Sequence, residues 1–172
     1  MKLRRMLALT LVLMTLMTAA LVENHPGFYQ PQENAAMDYD DSESRWSFAR
    51  SAESEHFLLF WEAGFGENPL NAAPEMRVDT ADLLEKAELF YTENVERLHM
   101  ADEPLPGGDK LQIYLLYTAD WVATGAGYDN RIGALWISPA TCQPAGSVIA
   151  HEIGHCFQYL TYCQALESGA PD

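Results

Sequence analysis

The sequence predicts an α+β fold in which a small mixed sheet carries one packed helix and a second, carboxyl-proximal helix. Short apolar runs of strand length recur at residues 56–61, 111–117 and 132–138. Apolar residues at helical spacing occupy residues 80 to about 100 and recur after the third run. The order strand, helix, strand, strand, helix fits one domain of ordinary size within 172 residues.

The amino-terminal residues have the features of a secretory signal peptide. Lys2, Arg4 and Arg5 precede an uncharged run over residues 6–22, and Thr18-Ala19-Ala20 offers a small-residue cleavage site. We therefore expect residues 1–20 to be removed by cleavage after Ala20, and the protein to be secreted without stable membrane insertion. Because the apolar run approaches the length of a membrane span, an uncleaved anchor is the alternative.

Residues 21–45 are polar and acidic. They are rich in Asn, Gln, Asp, Glu, Ser and Pro, and an acidic tract covers residues 37–43. This composition predicts a disordered acidic linker before an ordered domain over residues 46–172. Removal of residues 1–20 changes the net charge from −15 to −18, since it takes away three basic side chains and no acidic ones. Such a charge repels nucleic acid, which excludes it as a partner.

The ordered domain begins with a strand and a helix. Residues 56–61 read His-Phe-Leu-Leu-Phe-Trp, which predicts a buried strand, and Gly and Pro over residues 64–74 predict a loop. Asp79 is a natural N-cap for a helix over residues 80 to about 100. The largely apolar face of this helix consists of Leu83, Leu84, Ala87, Phe90, Asn94 and Leu98. Its solvated face carries helix-spaced ion pairs, Asp82 with Lys86 and Glu93 with Arg97.

Two further strands precede the last helix. Residues 111–117 form the second predicted strand, and residues 132–138 form the third, which Pro139 closes. Between them, residues 124–130 form a Gly-rich segment that predicts a turn. A phosphate-binding loop is disfavoured there because neither a Lys nor a helix start follows at the required spacing.

The run His151-Glu152-Ile153-Gly154-His155 has the pattern H-E-x-x-H. On a helix, two histidines four residues apart are separated by roughly 40° and about 6 Å, so both imidazoles can bind one metal ion. Glu152 lies too far around the helix to be a ligand and is placed to act as a base instead. A buried apolar stripe is expected on the other side of the helix, formed by Ile149, Ile153, Cys156, Leu160 and Cys163.

With this motif, the chain resembles the zincin metallopeptidases. The run over residues 150–158, Ala-His-Glu-Ile-Gly-His-Cys-Phe-Gln, is similar to that of a gluzincin-like group of secreted zincin-like proteins. The metzincin extension requires Gly at position 158 and His at position 161. It is absent, because this chain has Gln158 and Thr161 there. The resemblance implies the upper subdomain of a zincin, with the third strand as a substrate-binding edge and an internal strand as the alternative. It also implies a peptide or protein substrate and a Zn²⁺ cofactor held by His151 and His155, with Glu152 as general base.

The third zinc ligand is not evident from the sequence. The chain between the motif helix and Glu167 is too short to fold back and bring Glu167 to the ion. The segment up to Asp172 is long enough to do so. His25, His56 and His99 are upstream candidates without a spacing argument. Because gluzincins take this ligand from a Glu on a later helix, we expect residues 46–172 to be the amino-terminal half of a catalytic domain, in a carboxyl-terminally truncated chain.

The three cysteines are not expected to form a disulfide. On one helix, Cys156 and Cys163 are about 10 Å apart, beyond the limit of about 7 Å between Cα atoms, and Cys142 precedes the helix too closely to fold back. Cys156 lies on the apolar stripe, which favours a small buried hydrophobic residue over a nucleophile or metal ligand.

The sequence thus predicts a secreted zinc-dependent metallopeptidase that hydrolyses peptide bonds with a zinc-activated water and Glu152 as general base. The alternative is a non-catalytic secreted binding module that retains a zincin-like fold. Tyr159 and Tyr162 are expected either to line the cleft or to pack against other aromatic residues, and Gly154 is expected to permit the close approach of a neighbouring element.

Overall fold

The computed structural model describes residues 25–101, 105 and 108–167, and it has an α+β fold. A mixed sheet carries two helices, as the sequence predicts, but the sheet has five strands where the sequence indicates three. The strands are β1 (Ser51–Glu53), β2 (Phe57–Trp61), β3 (Leu111–Leu115), β4 (Ala123–Tyr128) and β5 (Ile132–Ile137). The helices are α1 (Thr80–Thr92), which continues as a π-helical turn (Glu93–Arg97), and α2 (Ser147–Glu167). The predicted signal peptide and Asp172 lie outside the described residues.

The strand order is β1-β2-β3-β5-β4. Strands β2, β3 and β5 are parallel, whereas β1 and β4 run antiparallel to their neighbours. Short 3-10 turns connect these elements at Gln32–Asn34, Phe48–Arg50, Ala63–Phe65, Pro69–Asn71, Pro74–Met76 and Pro139–Thr141. Within the described part of the chain, no helix is both long enough and apolar enough to cross a membrane.

Both faces of the central strands are buried, which is why these strands read as nearly continuous apolar runs. All five residues of β2 and of β3 are buried. One face, with Leu59, Ile113 and Leu135, packs beneath α1 and α2. The opposite face, with Phe60 and Tyr114, is covered by aromatic side chains that precede β1. The core therefore has two layers, one on each side of the sheet.

Helix α1 forms as the sequence predicts. The Asp79 carboxylate accepts hydrogen bonds from the backbone N–H groups of Ala81 and Asp82, each at 3.1 Å, and so caps the helix. The two ion pairs also form, Asp82 with Lys86 at 2.9 Å and Glu93 with Arg97 at 2.6 Å. The helix ends earlier than residue 100: its last turn is π-helical, Leu98 is its C-cap, and His99 has a left-handed φ of 50°. Leu98 is consequently 55% exposed instead of buried on the apolar face.

The edge strands of the sheet are β1 and β4, and the third predicted strand, β5, is internal. Residues 124–130, predicted as a turn, contribute most of β4, and β5 lies between β3 and β4. The assignment of residues 132–138 as the edge is therefore wrong. The turn itself is shorter: Asp129, Asn130 and Arg131 connect β4 to β5, and the first two have φ values of 56° and 52°.

Residues 25–45 differ from the linker that their composition predicts. Tyr39 is 4% exposed and packs against Phe28 and Phe60, with ring centroids 4.8 and 5.2 Å away. The Tyr29 hydroxyl donates to the Asp129 carboxylate at 2.8 Å, which ties this segment to the β4–β5 hairpin. A few aromatic residues within a polar stretch are thus enough to cover one face of the sheet.

Strand β4 packs unusually closely on α2. A Cβ atom added at Gly125 would lie 2.0 Å from the carbonyl oxygen of Glu152, and one at Gly127 would lie 2.2 Å from the Tyr159 ring. By contrast, a Cβ atom at Gly154 would meet no atom within 4 Å, so the expectation that Gly154 permits a close approach is wrong. The close approach is made by the glycines of the strand.

We predict opposite effects of the same substitution at two glycines. Gly125→Ala should lower the free energy of unfolding by at least about 1–3 kcal/mol, because the new methyl group meets backbone that cannot rotate away. Gly154→Ala, the matched control, should raise it by up to about 1 kcal/mol through higher helix propensity. Urea denaturation of both variants measures this difference, and equal stability of Gly125→Ala and the natural chain would contradict the packing.

Candidate metal centre

Helix α2 exposes one side and buries the other, as its apolar periodicity predicts. The stripe of Ile149, Ile153, Cys156, Leu160 and Cys163 is at most 2% exposed against the sheet. His151 is exposed and His155 is half-buried on the outer side, whereas Glu152 is 6% exposed. The two imidazoles are therefore accessible to a ligand from solvent, and the carboxylate between them in sequence is largely shielded.

The two histidines converge on one point. Their Nε2 atoms are 3.0 Å apart, and their rings are nearly perpendicular, with an interplanar angle of 84° and centroids separated by 4.5 Å. Two nitrogens bound to one tetrahedral zinc ion at about 2.0–2.1 Å each would be about 3.3 Å apart. The observed separation differs from this by a few tenths of an ångström, so the pair fits a shared zinc ion.

Gln158 orients the second histidine. Its Oε1 atom lies 2.8 Å from Nδ1 of His155, a distance at which the Nδ1–H group donates to the amide oxygen. That hydrogen bond leaves the lone pair of His155 on Nε2, the atom that faces His151. The role of Gln158 was not predicted from the sequence, although residues three apart on a helix are neighbours, and this spacing is the signal that could have indicated it.

Glu152 lies where α2 meets the edge strand. Its backbone carbonyl is the group that excludes a side chain at Gly125 of β4. Its carboxylate affects the nearby Cys156 thiol: the pKa of Cys156 is raised to about 12, mainly by burial and in part by the negative charge of Glu152. The carboxylate therefore lies on the side of the helix that turns towards the sheet, next to the exposed histidines.

A groove of about 420 Å³ separates the histidines from the end of α1. The α2 side of the groove consists of Ala150, His151, Gly154, His155 and Gln158. The other side comes from α1, the π-helical turn and the residues after it, namely Phe90, Glu93, Asn94, Arg97, Leu98 and Met100. This volume lies within the range of about 300–1,000 Å³ that is typical of small-molecule sites. The contribution of α1 to the groove was not predicted from the sequence.

The other predicted candidates among the described residues do not join the histidine pair in a three-residue metal group. His25 is 3.1 Å from Asp40 and stacks on Phe48, and His56 is 2.7 Å from Glu88 and stacks on Tyr91. His99 is exposed in the turn after α1, with a φ of 50°. Within residues 25–101, 105 and 108–167, no three side chains of His, Cys, Asp or Glu form a group that could hold a metal ion.

Tyr159 fixes the hairpin instead of lining the groove. Its hydroxyl accepts a hydrogen bond from the backbone N–H of Asn130 at 2.9 Å, and its ring covers Gly127. Tyr162 is 53% exposed. Together with the contact between Gly125 and Glu152, the Tyr159 hydrogen bond sets the height of the edge strand above the motif helix.

Cys156 has the buried, inert role that the sequence predicts for it. Cys142, Cys156 and Cys163 are all unpaired and buried. Burial raises the pKa of the Cys142 thiol to about 12, as it does for Cys156. The protonated Cys156 thiol donates to the carbonyl oxygen of Ala134 at 3.2 Å. Neither of these two thiols has the low pKa that nucleophilic attack or metal binding requires.

We predict that iodoacetamide at pH 8 does not label Cys142 or Cys156 in the folded protein. An ordinary thiol, with a pKa near 8.5, is partly ionised at this pH, whereas a thiol with its pKa raised to about 12 is not. Labelling should appear once urea unfolds the chain, and mass spectrometry distinguishes the sites. Labelling of native Cys156 at the rate of the unfolded chain would contradict this assignment.

Comparison with known proteins gives a family but no activity. The profile of a family of unknown function (DUF6055) matches residues 21–171, a range that includes all five strands of the sheet and the motif helix. No curated protein and no solved structure matches the chain. Because the match covers nearly all of the 172 residues, the chain belongs to the DUF6055 family.

Proposed function

We propose that this protein is a secreted zinc-dependent metallopeptidase with a gluzincin-like site. The observation that carries this proposal is the convergence of the Nε2 atoms of His151 and His155, 3.0 Å apart, on the exposed side of a helix whose other side is buried. Histidines that only filled a core would lie on the buried stripe. Here they face a groove large enough for part of a peptide.

The histidines would hold the metal through Nε2. His155 is oriented for this by its hydrogen bond to Gln158, because a ligand histidine needs its other nitrogen fixed by an acceptor. When bound, a zinc ion supplies Lewis acidity, which polarises a substrate carbonyl and makes a water molecule more acidic.

Glu152 would act as the general base. It follows His151 directly, is not a member of any three-residue metal group in the described part of the chain, and is shielded from bulk solvent. In this role the carboxylate takes a proton from the attacking water and passes it to the leaving amine, a contribution of typically 10²- to 10⁴-fold in rate. A protein that only bound its ligand, without catalysis, would not require this carboxylate.

The edge strand would bind the substrate backbone. Among the described residues, strand β4 is at the end of the strand order, so no other described strand pairs with its outer edge. An extended peptide can add to such an edge by main-chain hydrogen bonds, which requires no particular side chain of the peptide. Because β4 contacts the helix at Glu152, a peptide on that edge would run close to the base.

The fold is consistent with the upper subdomain of a zincin. A small mixed sheet with one helix between β2 and β3, and with the motif helix after the sheet, is the arrangement that the resemblance implies. This likeness supports the proposal, but the chemistry depends on the site.

A secreted, non-catalytic binding module is the second candidate. The observation that favours it is again the edge of β4, since strand addition can give binding without catalysis. The two candidates differ in their dependence on Glu152 and on the histidines, so they can be separated by substitution.

We predict that the purified chain binds Zn²⁺ weakly and that binding depends on His151 and His155. Weak binding is expected because catalytic zinc sites use three protein ligands, and the described residues bring together two. His151→Ala and His155→Ala should abolish binding and peptide hydrolysis together. Glu152→Gln should keep zinc and lower the hydrolysis rate roughly 10²- to 10⁴-fold. Titration calorimetry and digestion of a mixed peptide library measure the two properties.

His99→Ala is the matched control, because it removes an exposed histidine outside the pair and should change neither property. Full hydrolysis by Glu152→Gln would contradict the proposed base. Zinc binding without hydrolysis in the natural chain, combined with peptide binding that survives Glu152→Gln, would favour the binding module.

A further inference from the structure

We propose that Trp121 and Asp120 form a subsite for a basic side chain, Lys or Arg, of an extended peptide that adds to strand β4. This subsite lies at the start of β4, outside the metal centre. Its role in selecting a substrate rests on the proposed function, whereas its affinity for a basic peptide does not.

Trp121 is a large aromatic residue on the surface, and the backbone next to it is fixed. It is 62% exposed, more than any other large hydrophobic residue in the part of the chain that the structure describes. The backbone N–H of Val122 donates to Ser138 Oγ at 3.0 Å, and the Val122 carbonyl accepts from the Ser138 N–H at 3.0 Å. The indole is therefore held at the surface by ordered backbone, which lowers the entropy cost of binding a ligand there.

The side chain of Trp121 lies on the face of the sheet that carries α2. A Cβ atom added at Gly125 would point at Glu152 of that helix. Side chains alternate along a strand, and the bonds between Val122 and Ser138 continue the β4–β5 ladder. Trp121 is four residues before Gly125, so its side chain has the same direction. Four residues of a strand span about 13 Å, which is the distance along the edge from Trp121 to the residue beside Glu152.

The outer edge of β4 offers main-chain groups to a peptide. Ile137 of β5 accepts from the Leu116 N–H on the β3 side, whereas Ser138 donates to Val122 on the β4 side. These directions alternate along β5, so every second residue of β4 is bonded within the sheet. The other residues of β4 direct their N–H and C=O groups to the outer edge, and these are Ala123, Gly125 and Gly127. A peptide residue opposite Trp121 would have its side chain on the same face as the indole.

The charge of this surface favours a cation. Asp120 is exposed next to Trp121, and each ion pair between described residues uses another carboxylate. A Lys or Arg side chain can lie over the indole and also pair with the Asp120 carboxylate. The whole chain has 25 acidic and 10 basic side chains, an excess of negative charge that attracts basic peptides and repels acidic ones. An apolar side chain gains the contact with the ring but not the ion pair.

Digestion of a mixed peptide library in the presence of Zn²⁺ tests this selection. We expect Lys and Arg to be enriched about four residues from the cleaved bond, because Gly125 lies beside Glu152 and Trp121 is four residues away. Trp121→Ala should raise the KM of these peptides roughly 2- to 5-fold, which is the contribution of an exposed cation–π contact, and should leave kcat unchanged. Trp121→Phe should keep part of the preference, since it keeps an aromatic face. Asp120→Asn should make the preference less sensitive to salt.

Tyr162→Ala is the matched control, because it removes an aromatic side chain of α2 that is 53% exposed, and it should change none of these values. Equal cleavage of peptides with Lys, Leu or Glu at the selected position would overturn the inference and leave the proposed function in place.

Fluorescence anisotropy of labelled peptides measures binding without hydrolysis. We expect the Lys peptide to bind more tightly than the matched Leu and Glu peptides, and this difference to be lost in Trp121→Ala but kept in Tyr162→Ala. If this result is obtained and no peptide is hydrolysed, the basic subsite stands and the proposed function fails. Equal affinity for the three peptides, or a difference that survives Trp121→Ala, would overturn the inference.

Discussion

The burial of one side of α2 against the sheet is the interaction on which the rest of the structure depends. Ile149, Ile153 and Leu160 are at most 1% exposed, and each such side chain contributes about 1.5–3 kcal/mol relative to an exposed position. Because this stripe fixes the rotation of the helix, it also fixes the opposite side. His151 and His155 face outward for that reason, and the groove beside α1 opens where they lie.

The same packing determines how β4 sits beside the motif. Gly125 and Gly127 bring the strand so close to α2 that no side chain fits between them. Tyr159 lies four residues beyond His155 on the same helix. Its hydroxyl accepts a hydrogen bond from the backbone N–H of Asn130 and so holds the hairpin in place. The strand proposed to bind the substrate and the helix proposed to supply the ligands and the base are thus joined by direct contacts, and a shift of either would move the other.

The sequence predicted the elements whose signals are local. The apolar runs at residues 56–61 and 111–117, the Asp79 cap and the α2 stripe each depend on residues within a few positions, and each was confirmed. The edge strand was missed because its glycines were interpreted as a turn signal, when they mark a close approach to a helix. The ordered structure of residues 25–45 was not predicted, because it depends on contacts with residues far away in the sequence, such as the contact of Tyr39 with Phe60.

For the candidate site, the motif residues and their exposure followed from helical periodicity, but their surroundings did not. The groove depends on the end of α1, where the π-helical turn Glu93–Arg97 brings Asn94 and Arg97 opposite the histidines. Turns of this kind are frequent at functional sites, yet they have no simple sequence pattern. The order of elements in the chain does not reveal that α1 and α2 meet at this point.

X-ray absorption at the zinc edge of the zinc-loaded protein tests the central claim most directly. Zinc held by His151 and His155 should show imidazole scattering with nitrogens at about 2.0–2.1 Å, and this signal should be lost in His155→Ala. A first shell without imidazole, or one with sulfur at about 2.3 Å from the buried cysteines, would contradict the account.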